Sequence, residues 1–153
     1  MKKILYLHGK GSHPGGTKPT FLSSRGYEVI NPALPDSSFE DSVNIAKKAI
    51  QNHRPDVIVA SSRGGAVALA AADNDARMVL MCPAWKTFGV RLPESLPNTT
   101  LLHAKEDDIV AYEDSNFLVE KCGTVLITCG KDHRMIDTEP LNALEDVLLS
   151  YRD

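Results

Sequence analysis

Ser62 lies in the stretch Val57-Ile58-Val59-Ala60-Ser61-Ser62-Arg63-Gly64-Gly65, an aliphatic run that turns through small residues into an alanine-rich segment. A serine on so tight a turn projects its hydroxyl and can attack a carbonyl carbon when a neighbouring base accepts its proton. The order strand, sharp turn, helix is what gives meaning to the pattern G-x-S-x-G; here it reads Ala60-Ser61-Ser62-Arg63-Gly64, with a methyl group where the first glycine would stand. The same residues also suit an ordinary turn from strand to helix, or an anion seat at a helix N-terminus. The turn by itself leaves these readings open.

A base and an orienting acid must come from elsewhere in the chain. His133 closes Ile127-Thr128-Cys129-Gly130-Lys131-Asp132-His133, beyond the last aliphatic run and before the last helical stretch. Glu106, Asp107 and Asp108 follow the run ending at His103, and a carboxylate there can fix the tautomer and orientation of an imidazole. Any one of them alone is equally at home in a solvated loop. The chain order serine, acid, histidine, each just past a strand, argues for a set. Cys129 is a weaker nucleophile candidate, because it ends an apolar run and reads as a buried structural thiol.

The first run leads directly into His8-Gly9-Lys10-Gly11-Ser12. A backbone N–H of Gly9 or Lys10, together with that of Arg63, could face a developing oxyanion. A glycine-rich phosphate loop is the competing reading, but a dinucleotide fingerprint would need glycine where Pro14 stands, and no G-x-x-x-x-G-K-[ST] stretch occurs. A metal set could be assembled from His8, His103, Asp107 and His133, yet no recognised ligand spacing supports it, so neither metal nor organic cofactor is expected.

The elements that would position these residues follow from periodicity. Runs at Lys3 to Leu7, Tyr27 to Asn31, Asp56 to Ser61, Arg77 to Met81, Thr100 to His103 and Thr124 to Cys129 predict six strands. Phe39, Val43, Ala46 and Ile50 recur at helical spacing, Ala66 to Ala72 is apolar nearly all round, and Gly123 suits the end of a helix over Tyr112 to Lys121. Leu141, Leu144 and Leu148 mark a last helix, with Asp137 or Thr138 at its N-cap and Pro140 in its first turn. Such alternation predicts an α/β/α sandwich around a mainly parallel sheet, whose strand carboxyl ends carry the chemistry.

Leu7-His8-Gly9, Ser62-Arg63-Gly64-Gly65, Asp107-Asp108-Ile109-Val110 and Gly130-Lys131-Asp132-His133 together resemble the α/β-hydrolase family over nearly the whole chain. Leu22 to Val29 is similar to that family's first helix running into its next strand. The resemblance implies a small serine esterase without a cap, acting through Ser62, Asp107 and His133. Its D-x-x-V arrangement selects Asp107 among the acids, since Val110 stands three residues later. It further implies oxyanion donors at Arg63 and at Gly9 or Lys10, and a minimal fold that starts at the strand before the H-G loop. Between the fourth and fifth strands, Cys82 to Asn98 is too short for a helical cap; Trp85 and Phe88, with His8, are expected to line an acyl pocket, or else to plug the edge of the core.

Composition agrees with this class. A hydrophobic fraction of 42% over 153 residues supports one core and one domain over 1-153. The net charge of -3 gives no reason to expect nucleic acid or an anionic membrane, and no apolar stretch reaches spanning length. Three cysteines without C-x-x-C spacing suit a reducing cytoplasm. The expected partner is a small ester or thioester; a binding protein that keeps this fold without turnover is the alternative.

Overall fold

The structure, a computed structural model, describes residues 2–11 and 15–151. Ser12 and Pro14 of the glycine-rich loop therefore lie outside the described residues. Six strands form one sheet: β1 (Lys3–Leu7), β2 (Glu28–Ile30), β3 (Val57–Ser61), β4 (Met78–Met81), β5 (Thr99–His103) and β6 (Val125–Thr128). They lie in the order β2-β1-β3-β4-β5-β6, and every pairing is parallel. Each expected strand is present, β1 with the expected bounds and the other five trimmed or extended by a residue or two.

Five helices cover the two faces: α1 (Thr17–Ser24), α2 (Phe39–His53), α3 (Arg63–Ala71), α4 (Tyr112–Cys122) and α5 (Thr138–Ser150). Alternation along the central strands sorts the core into two layers. Leu5, Leu7, Ile58, Ala60, Met78 and Leu80 pack with Ala46 and Ala49 of α2, Val67 and Ala68 of α3, and Leu118 of α4. Ile4, Tyr6, Val57, Val59, Val79 and Met81 point the other way, toward Leu22 of α1 and Leu144 and Leu148 of α5.

Local signals explain two of the helix ends. The Ser38 side chain accepts a hydrogen bond from the Asp41 N–H and caps α2, while Gly123 closes α4 at φ 72°. Asp137 is the N-cap of α5, but its side chain makes no capping bond and reaches toward Lys131 instead, at 3.8 Å.

α3 departs from expectation, beginning at Arg63 so that both glycines lie inside the helix rather than in front of it. A Cβ at Gly64 would come within 2.0 Å of the Leu7 carbonyl oxygen, and one at Gly65 within 2.7 Å of Pro83 Cβ. Gly64 therefore lets α3 settle onto the end of β1, and Gly65 lets it approach Pro83 beyond β4. Ala60, by contrast, is an ordinary fully buried member of the core, paired with Leu7 on one side and Leu80 on the other.

The direction in which successive strands are added reverses between β1 and β3, since β2 lies on one side of β1 and β3 on the other. In open α/β sheets the crevice beyond the strand ends at such a switch point is the place for a ligand. Gly9 and Ser62 both stand there.

Candidate active site

Ser62 is the hinge between β3 and α3, held at φ 54°, ψ -117°. Few L-residues adopt this conformation, and it is maintained by a dense set of backbone bonds. The Ser62 N–H donates to the Met81 carbonyl at 2.9 Å, and its own carbonyl accepts from Gly65, Ala66 and Ala84. The side chain is left free to face the crevice.

Ser62 Oγ lies 2.9 Å from His133 Nε2, and His133 Nδ1 lies 2.8 Å from Asp107 Oδ2. A carboxylate only accepts, so Nδ1 carries the proton and Nε2 accepts from the serine hydroxyl. This is the tautomer a general base needs.

Asp107 owes its place to a turn. Its Oδ1 accepts from the N–H groups of Ile109 and Val110, each at 2.8 Å, and its own N–H donates to Ala104. Glu106 and Asp108 point into solvent. The Asp107 side chain is fully buried. Burial acts to raise its carboxyl, but the hydrogen bonds from Val110, His133 and Ile109 outweigh it and hold the group below the ordinary aspartate value.

Sequence reasoning missed a second imidazole at this carboxylate. His103, the last residue of β5 and wholly buried, directs Nε2 at both Asp107 Oδ2, 3.1 Å away, and the Val110 carbonyl, 3.0 Å away. With two acceptors facing it, Nε2 bears the hydrogen, and Nδ1 accepts from the Ser115 hydroxyl of α4 at 2.7 Å. Burial lowers the His103 pKa, opposed by the Val110 carbonyl and Asp107, in keeping with a neutral ring. Its only sequence signal is a histidine four residues before the acid.

The loop bearing His133 is pinned on several sides. Asp132 Oδ1 accepts from the Arg134 N–H at 3.1 Å, Met135 is buried at φ 55°, and Cys82 Sγ approaches the His133 carbonyl at 3.4 Å. Burial, and next the charge of Asp107, pushes the Cys82 thiol up to about 12. Burial likewise pushes Cys129 up to about 11. Donor atoms of Cys82, Asp107 and His133 lie within 4.8 Å of one another, whereas His8 of the metal set considered from sequence is turned elsewhere.

His8 Nε2 accepts the Leu34 N–H at 3.0 Å, and Nδ1 faces the Gly9 carbonyl at 2.9 Å. The ring thus shapes the H-G loop. Gly9 then packs directly behind the nucleophile, its Cβ position 3.4 Å from Ser62 Cβ. The Arg63 N–H belongs to the first turn of α3, whose donors have no partner within the helix. Its guanidinium points away, donating to Ser42 Oγ at 3.1 Å and to the Pro35 carbonyl at 2.9 Å.

A cavity of about 680 Å³ opens over Ser62 and His133, with Tyr6, His8, Lys10, Lys18, Ile109 and Arg134 among its lining. Trp85 and Phe88 are not part of it, which corrects the pocket expected from sequence. The Trp85 indole donates to the Asp114 carbonyl at 2.9 Å and stacks on Phe117; Phe88 stacks on Phe39 beneath the Arg63 guanidinium. Both fill the edge of the layer under α2, α3 and α4. The cavity is built instead by α1 and the His133 loop.

Solved structures of similar fold include α/β hydrolases. Est1E from Butyrivibrio proteoclasticus with bound ferulic acid superposes at TM-score 0.78 and 14% identity, over 96% of this chain and 86% of the other. The ydeN gene product of B. subtilis does so at 0.76 and 15%, over 99% and 98%. Mouse alpha/beta hydrolase domain-containing protein 10 gives 0.73 and 16%, over 96% and 89%. Scans of family models and of curated proteins by sequence give no match. The chain has the α/β-hydrolase fold, with a parallel six-stranded sheet and five helices among the described residues. None of its described helices is long and apolar enough to cross a membrane.

Proposed function

We propose that this protein is a serine hydrolase of small carboxylic esters or thioesters, with Ser62 as nucleophile, His133 as general base and Asp107 as its orienting partner. The observation that carries this reading is the unbroken chain from Ser62 Oγ through His133 to Asp107, at 2.9 and 2.8 Å, on the floor of a cavity. The likeness in fold to proteins named as hydrolases supports the hydrolytic class.

In the forward step Ser62 Oγ bonds to the carbonyl carbon while its proton passes to His133 Nε2. Asp107 balances the imidazolium through Nδ1–H. The negative charge on the former carbonyl oxygen is met by the N–H groups of Arg63 and of Gly9 or Lys10. Collapse expels the alcohol or thiol, which takes the proton from His133. Water, activated by the same imidazole, then releases the acid and restores Ser62. The chain's own residues supply every proton transfer in this cycle.

The test is labelling with a fluorophosphonate, followed by p-nitrophenyl ester turnover in wild type, Ser62→Ala and His133→Ala. Wild type labels and turns over, and either substitution removes nearly all activity, because such residues act as a unit. Wild-type protein that does neither is a hydrolase-fold binding protein, and the proposal fails.

A further inference from the structure

The charged groups around the cavity are unevenly distributed. Over the whole chain, 20 acidic residues outnumber 17 lysines and arginines. Among the described residues lining the cavity, however, Lys10, Lys18 and Arg134 are basic and none is acidic. The wall beside Ser62 is cationic against the sign of the protein.

Lys18 is the built part of this wall. It stands in the first turn of α1, half-buried, with Nζ donating to the Arg134 carbonyl at 2.6 Å. An ammonium carries three protons, so this bond leaves two. Burial, and also the neighbouring Arg134 charge, lowers the Lys18 pKa, while the Cys82 thiol and Asp132 act to raise it. Two cations have thus been brought together at one side of the crevice, where burial disfavours the charged form of Lys18.

The acids bonded to the loops around this wall each hold backbone N–H groups, although the charge of Asp132 still acts on Lys18. Asp132 turns Oδ1 to the N–H groups of Arg134 and Met135, and Asp36 spreads both carboxylate oxygens over the Gly11 N–H at 3.2 and 3.0 Å. Pro19, Ile109 and Ile136 supply an apolar portion of the same lining. A substrate suited to this surface is part apolar and bears a negative group.

We propose that the preferred substrates are anionic esters or thioesters, in which a carboxylate or phosphate of the acyl or leaving part is held by Lys18 and Arg134 while Ser62 attacks the carbonyl. This rests on the hydrolase reading above and names its substrate class.

The experiment compares kcat/KM for neutral p-nitrophenyl butyrate with mono-p-nitrophenyl glutarate, whose acyl part ends in a carboxylate, and with a 4-phosphonooxyphenyl butyrate, whose leaving group carries phosphate. At least one anionic ester exceeds the neutral one by about tenfold or more, the range of a charge-assisted hydrogen bond. The arm that wins says which side of the ester carries the charge. In Lys18→Met and in the exposed Arg134→Gln the ratio of anionic to neutral falls toward one, and Lys18→Arg restores most of it. Raising the salt narrows the wild-type ratio, as expected of charge attraction at a partly open site.

A wild-type ratio of one or below overturns the proposal, as does a ratio that both charge-removing variants leave unchanged. Binding separates this failure from failure of the hydrolase reading. Titration of Ser62→Ala with monomethyl glutarate, which carries one carboxylate, and with the uncharged methyl butyrate reads the anion site without turnover. Monomethyl glutarate binding that is tighter than methyl butyrate, and lost in the double variant with Lys18→Met, upholds the site even in a protein that hydrolyses nothing. Equal affinities sink it.

Discussion

His103 and His133 donate to the same oxygen of Asp107, at 3.1 and 2.8 Å, one from the end of β5 and the other from the loop after β6. With Ile109 and Val110 on the other oxygen, the carboxylate receives four N–H donors and is completely enclosed. His103 also reaches the Val110 carbonyl, so it clamps both the acid and the turn that presents it. The first prediction follows from this clamp. His103→Phe leaves the Ser115 hydroxyl and one face of Asp107 short of partners inside the core, which costs about 1–3 kcal/mol. Melting temperature falls accordingly, and ester turnover falls through kcat more than KM, because the group acts behind His133 and not on substrate. Unchanged kcat in a variant of lowered melting temperature would reduce His103 to a structural role.

His103 and Asp107 set how stability responds to acid. His103 has a lowered folded pKa, so the unfolded chain binds its proton more readily, and stability drains away as the pH falls from about 6.5, the ordinary histidine value, through the folded one. Asp107 is also lowered, and its contribution is present above the ordinary aspartate value near about 4 and lost as the pH falls through the folded one. Both signs agree. Melting temperature plotted against pH should therefore decline on acidification in two stages. In His103→Phe the upper stage disappears and the lower remains; a wild-type curve that is flat between pH 6.5 and 4.5 contradicts the assignment.

Much of this arrangement could be read in the sequence, for definite reasons. Strands buried on both faces betray themselves as aliphatic runs, and the crossovers between parallel strands must be helical, so Ser62, Asp107 and His133 could be placed at strand ends without coordinates. What could not be read depends on which elements become neighbours across the sheet. Lys18 and Arg134 are 116 residues apart in the chain, and only the seating of α1 beside the His133 loop brings them together. Trp85 and Phe88 misled because aromatic residues near a strand end serve a pocket or a core edge equally well; Phe117 and Phe39 decided the matter. The glycines after Ser62 were visible as small, but their need within α3 comes from the Leu7 carbonyl against Gly64 and from Pro83 against Gly65.

That contact gives the third prediction. Gly64→Ala drives a methyl group to 2.0 Å from a backbone oxygen that cannot swing aside, so β1 or α3 must move. Overpacking of this kind costs about 1–3 kcal/mol where side chains can adjust and more where they cannot. The variant is recovered poorly or melts far below wild type. Ala60→Gly, the substitution that would restore the familiar elbow pattern, goes modestly the same way, by about 0.5–1 kcal/mol, since it adds chain entropy to a buried strand and opens nothing around Ser62. Higher ester turnover in Ala60→Gly would show instead that the Ala60 methyl group constrains the nucleophile.

The last prediction concerns the backbone of Ser62 itself. At φ 54° and ψ -117° any side chain crowds the main chain, and the strain is balanced by the bonds to Met81, Gly65, Ala66 and Ala84. Comparing Ser62→Gly with Ser62→Ala isolates that strain, because both lack the hydroxyl and both lose the bond to His133, while only glycine is at ease in this conformation. Ser62→Gly should be the more stable of the two by about 1–3 kcal/mol in urea unfolding, with equal slopes and equally little activity. Equal stabilities would mean that the turn relaxes once the serine is gone. Strain that persists in the alanine variant is held by the fold, which keeps the Ser62 hydroxyl aimed at His133 before any substrate arrives.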